Sequence, residues 1–168
     1  MLTRATDFFI SIVKPTANEF LSNPGDVRRG CIAAIVLYHM LDYWALEGYV
    51  GNERKIMDER VEKLRIELIG KCPDFLLIRD VADASKHAQL SVPKKMTREL
   101  SSSEQISRNP GIFGAPFGEG VFAEASIVIV TLDDGTSRPL AGAVQSVLSM
   151  WEDKLKYAAE TKAALENG

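Results

Sequence analysis

From Cys31 to Leu46 the sequence is apolar on every face of a helix: Ile32, Ala33, Ala34, Ile35, Val36, Leu37, Met40, Leu41 and Trp44 leave no polar stripe for water. A helix of that kind has to be enclosed by other elements, so it predicts the central member of a helical bundle. Asp26 is a suitable N-cap before it and Gly48 a suitable stop after it, which sets its expected span at about 26 to 47. The longest apolar run, Cys31 to Leu41, is interrupted by His39 and closed by Asp42, too short for a membrane span of roughly 20 residues. No membrane association is expected, and the few polar side chains of this helix become informative.

The rest of the chain supplies the enclosing elements. Phe8, Phe9, Ile12 and Val13, then Ala17, Phe20 and Leu21, recur at helical spacing, and Pro15 is expected to kink that helix or to start a second one. Asn23-Pro24-Gly25 ends it. A third, amphipathic helix over about 52 to 69 buries Ile56, Val61, Leu64, Leu68 and Ile69. After Gly70, Cys72-Pro73-Asp74 restarts a helix whose buried stripe is Leu77, Val81, Ala84 and Ala88, with an expected end near Leu90. The following stretch has no clear period. It contains Ser101 to Ser103 and the glycines Gly111, Gly114, Gly118 and Gly120, and it reads as a long ordered loop or irregular strands. Ser126 to Thr131 reads as a β-branched strand, Asp133-Asp134-Gly135 is a turn signal, and Thr136 to Arg138 are the expected partner strand. Leu140, Val144, Val147, Leu148, Trp151 and Leu155 mark a closing helix. The fold expected is mainly α, a helical bundle of about five helices with a small β-hairpin before the C-terminal helix. It is read as one domain over residues 1–168, with the glycine-rich loop and hairpin inserted at about 91–139.

Charge narrows the function. With 20 Lys and Arg against 23 Asp and Glu, the formal net charge is -3, which provides no large positive field for a phosphate backbone. Generic nucleic-acid binding is disfavoured, and Arg28-Arg29 and Lys94, Lys95 and Arg98 read mainly as solvated surface. Cys31 and Cys72 have no CxxC spacing and no framework, which suits a reducing cytoplasm. The N-terminus has no apolar segment followed by a small-residue cleavage site, so no signal peptide is expected. A homo-oligomer formed through an apolar helix face is the expected partner, and the small-molecule ligand is left open.

The polar residues of the apolar helices are the candidate site. The chain has two histidines, His39 and His87. His39 and Asp42 lie three apart on the second helix; Asp80, Asp83 and His87 fall at spacings of three and four on the fourth. Buried groups like these need hydrogen-bond or ion-pair partners. One reading makes His39, Asp42, Asp83 and His87, with Lys86 or Arg79, a structural network that fixes helix register. The other makes them a site: His87 as general acid or base, its tautomer fixed by Asp83, with Arg79 beside them and His39, Asp42, Asp80 and Lys86 as binding residues. Imidazoles and carboxylates are also suitable donors for zinc or another divalent metal, but no HExxH or comparable motif is present, so no metal and no cofactor is expected.

The run Arg79-Asp80-Val81-Ala82-Asp83-Ala84-Ser85-Lys86-His87, on a helix within a bundle, resembles the arginine-to-histidine motif of HEPN domains. The resemblance covers this one helix, and the seven residues between Arg79 and His87 exceed the usual spacing of the family. It implies metal-independent cleavage of a specific RNA, commonly across a homodimer, with Arg79 and His87 at the matching positions; many members keep the bundle without activity. The Ala-Ser-Lys-His run, Asp134-Gly135-Thr136 and Trp151 are also similar to features of uncharacterised bacterial proteins. The segment Gly111 to Gly120 is not a phosphate loop, since no Gly-Lys-Ser/Thr follows it. Phe113, Phe117 and Phe122 are expected to seal the bundle or cover a pocket, and Ser101 to Ser103 to form exposed linker.

Overall fold

In the computed structural model the described residues are 3–87, 89–91, 97–109 and 126–166. Ala88, Lys94, Lys95, the glycine-rich stretch 111–120 and Phe113, Phe117 and Phe122 lie outside them. The chain is mainly α, with a small antiparallel sheet before the C-terminal helix.

Arg4–Phe8 (α1), a π turn over Phe9–Val13 and Lys14–Leu21 (α2) form one unbroken helical run. Pro15 stands in the first turn of α2, as expected of a proline that opens a helix, but the run continues through it without a break. The widened turn, closed by the Lys14 N–H on the Phe9 carbonyl, lies directly before the ring. A regular turn there would set the ring against the carbonyl four residues back. At the N-terminal end Thr3 caps α1, and the carboxylate of Glu47 accepts the Ala5 N–H at 2.9 Å, tying the start of the run to the end of the central helix.

That central helix is Val27–Ala45 (α3), capped by Asp26, whose side chain accepts the Arg29 N–H at 3.0 Å. Gly48 follows in the left-handed region at φ 73, which favours glycine. Arg54–Lys71 (α4), Asp74–Lys86 (α5) and Leu140–Glu166 (α6) complete the bundle, and α3 touches α1, α2, α4, α5 and α6. Close approach is written into Gly30: a Cβ there would lie 2.9 Å from Leu140 Cδ2 and 3.0 Å from Phe20 Cε2. Phe20, Leu37, Met40, Leu41, Phe75, Leu77, Ile78 and Trp151 are fully enclosed, and burying each such side chain is worth about 1.5–3 kcal/mol. Trp151 also places its indole N–H on the Leu37 carbonyl at 3.1 Å, so its one polar atom is satisfied within the core. No described helix is long and apolar enough to cross a membrane.

The sheet has the order β1-β2-β3, from Ile106–Asn109 (β1), Ile127–Thr131 (β2) and Ser137–Pro139 (β3). The expected hairpin is β2–β3, turning at Gly135 with φ 84. β1 extends it, with Ile106 opposite Val130 and Asn109 opposite Ile127. Val128 and Val130 alternate inward and β2 packs on α6.

Two expectations are corrected. Helix α5 ends at Lys86 rather than near Leu90, and His87 is its extended C-cap, outside the helix. The chain turns there because residues after it pair elsewhere: Gln89 bridges Ser102, and the Leu90 N–H donates to the Ser101 carbonyl at 2.8 Å. Ser101 to Ser103 are correspondingly not exposed linker but half-buried. The Ser102 side chain caps a short 3-10 turn over Ser103–Gln105, and Ser101 donates to Asp133 at 2.6 Å.

Candidate functional site

Helix α5 presents Leu77, Ile78, Val81 and Ala84 to the core, and Arg79 and Asp80 go inward with them. Asp80 is 0% exposed and Arg79 4%. Charges at that depth persist only with partners, and each is partnered. Arg79 donates Nε and Nη2 to Asp80 Oδ1 at 2.9 and 2.7 Å, and Nη2 also to the Thr97 carbonyl at 2.8 Å. Asp80 Oδ2 accepts the Glu99 backbone N–H at 2.7 Å.

Arg98 comes from the same returning segment. It reaches Asp80 Oδ1 at 3.4 Å, Asp83 Oδ2 at 3.5 Å and, through Nε, the Ser91 carbonyl at 3.0 Å. Residues 97–99 are thus strapped across α5 by ion pairs and backbone hydrogen bonds. Arg98, expected as solvated surface, is largely drawn in, with its side chain 16% exposed. Burial pushes the Asp80 carboxyl above the ordinary aspartate range, while the Glu99 N–H, Arg79 and Arg98 pull it back. Burial likewise raises the Glu99 carboxyl, with Asp80, Asp74 and Asp134 adding to the rise and Arg138 opposing it.

A second, shallower group lies where α3 meets the end of α5. Lys86 Nζ donates to His39 Nε2 at 3.0 Å, so that ring nitrogen is the acceptor and the imidazole is neutral. Burial, then the Lys86 charge, holds His39 below the ordinary imidazole range, against the opposing pull of Asp42. The Asp42 carboxyl is raised, first by partial desolvation against the helix surface, with His39, Arg65 and Lys86 opposing. His87 is exposed; its backbone N–H donates to the Asp83 carbonyl at 3.0 Å.

The expected site residues therefore fall into two sets. Arg79, Asp80 and Asp83 join through Arg98, whereas His39 meets Lys86, with Asp42 beside it. Among the described residues no group of three or more His, Cys, Asp or Glu side chains is placed to hold a metal ion. Sequence reasoning missed Thr97, Arg98 and Glu99. The one available signal was an arginine, Arg98, in an aperiodic segment of a chain with two carboxylates, Asp80 and Asp83, near an apolar stripe.

No family model, no curated protein and no solved structure matches the chain.

Proposed function

We propose that the protein is a non-catalytic binding or interaction module of the cytoplasm, in which the polar residues of α5 hold the returning 97–99 segment rather than act on a substrate. The observation that carries this reading is the state of Arg79. Its guanidinium is enclosed and engaged by Asp80 and the Thr97 carbonyl. Swinging it out to a phosphodiester would strip a fully buried carboxylate of its nearest cation, a change costing several kcal/mol.

The competing reading is a HEPN-like metal-independent ribonuclease using His87 and Arg79, with Asp83 behind them. The exposure of His87 favours it, since an accessible imidazole is a suitable acid or base. Purified wild-type protein, incubated with EDTA and both single-stranded and hairpin RNAs, is expected to leave every substrate intact. Cleavage by the wild type that disappears in a folded His87→Ala variant would overturn the binding reading in favour of the ribonuclease. Association of copies through α6 belongs to the same reading: from Lys156 onward its described side chains are exposed, with Tyr157 at 73% and Leu165 at 80%.

A further inference from the structure

Arg28 and Arg29, on the first turn of α3, and Arg108, on β1, line a cleft of about 660 Å³ with the turn Ser22 to Asp26, Val27 and Ser126. Two segments far apart in sequence, the turn at Pro24 and Gly25 and the start of β2, are joined here by backbone contacts. The Val128 N–H donates to the Pro24 carbonyl at 2.6 Å. Gly25 packs so closely on the start of β2 that a Cβ would stand 2.5 Å from the Ser126 carbonyl oxygen. Arg108 pairs in register with Val128, and its Nε donates to Ser126 Oγ, which anchors the guanidinium through one of its three nitrogens. The backbone on which these arginines stand is thus fixed by the fold.

Among the described residues that line this cleft the charge is not balanced: the one acid is Asp26, against three arginines. Asp26 is already used: it accepts the Arg29 N–H at 3.0 Å as the α3 cap, and that bond holds its carboxyl below the ordinary range. Arg29 Nε lies 3.5 Å from Asp26 Oδ2, within ion-pair distance, yet it is buried with no hydrogen-bond partner among the described residues. This local excess of positive charge sits on a chain with a net charge of -3. Guanidinium groups bind phosphoryl oxygens in pairs of parallel hydrogen bonds, and a cleft of this volume is in the range of small-molecule sites, roughly 300–1,000 Å³. The positive end of the α3 dipole adds to the field, although with Asp26 in the cap position the arginines carry the argument.

We propose that this cleft binds a small phosphorylated molecule, with Arg28, Arg29 and Arg108 holding its phosphoryl oxygens. The proposal gives the binding reading a ligand class and rests on that reading. Titration calorimetry with inorganic phosphate and with pyrophosphate, at constant ionic strength, tests it. Pyrophosphate is expected to bind more tightly than phosphate, and Arg108→Gln and Arg28→Gln each to weaken it by about tenfold or more. Arg54→Gln, which alters a solvent-exposed pair with Asp58 on α4, is expected to leave binding unchanged. Both cleft arginines are exposed, so the variants are expected to keep the wild-type melting temperature. Absence of pyrophosphate binding, or equal binding by the wild type and both cleft variants, would overturn the proposal. A short single-stranded oligonucleotide binding more tightly than pyrophosphate through the same arginines would overturn the small-ligand assignment. None of these outcomes is RNA cleavage, on which the non-catalytic reading stands or falls separately.

Discussion

Two of the places where arginines meet aspartates in this molecule give opposite results. On α5, Arg79 and Asp80 are enclosed, and Arg98, Thr97 and Glu99 complete their hydrogen bonds. Around the head of α3, Arg28 and Arg108 are exposed and line an open cleft with Arg29, where Asp26 is the one acid among the described lining residues. The chemistry of the side chains is the same; what differs is depth and the number of partners supplied by the chain itself. A guanidinium saturated by its own fold stabilises that fold, whereas one left short of counter-charge at the surface is available to a ligand.

The largest expected difference between the regions is in stability. Asp80→Ala removes the carboxylate that Arg79 holds, leaves Arg98 with Asp83 alone and takes the acceptor from the Glu99 N–H, and should cost about 3–5 kcal/mol in urea denaturation. Arg108→Gln removes one charge from the cleft and should change stability by less than about 0.5 kcal/mol. Equal losses in the two variants would erase the distinction between the regions.

A smaller effect belongs to the His39–Lys86 contact. Because the folded state holds His39 below the ordinary imidazole value, the unfolded chain binds its proton first as pH falls. The stability that neutral His39 contributes is present above about pH 6.5 and is lost as pH falls through the lower folded value. Melting temperatures between pH 8 and 5 should therefore drop more for the wild type than for His39→Gln. The difference should be worth less than about 1 kcal/mol after solvent screening. Parallel curves would remove His39 as the titrating group.

Elements whose signals are local were legible in the sequence. Asp26 and Gly48 bound α3, Asp133-Asp134-Gly135 marks the hairpin turn, and the stripe from Leu140 to Trp151 is the buried face of α6. What escaped the reading is set by distant partners. Nothing in Lys86-His87 announces a helix end, because the stop comes from residues 89–90 pairing with 101–102. β1 has one buried residue, Ile106, and so no alternating pattern to detect. The cluster on the apolar helices was visible as a problem needing partners. That Arg98 would answer Asp80, and Lys86 rather than His87 would reach His39, depends on a chain path that periodicity does not encode.

The strap across α5 is the feature on which the account turns, and hydrogen exchange at the Glu99 amide reads it directly, since that N–H donates to Asp80 Oδ2 at 2.7 Å. In Asp80→Asn, protection at Glu99 is predicted to fall by about tenfold or more relative to the buried Val144 amide, as expected for losing a charged acceptor. Unchanged protection at Glu99 relative to Val144 would contradict a structural role for the Asp80 carboxylate and return the residues of α5 to the list of groups free to do chemistry.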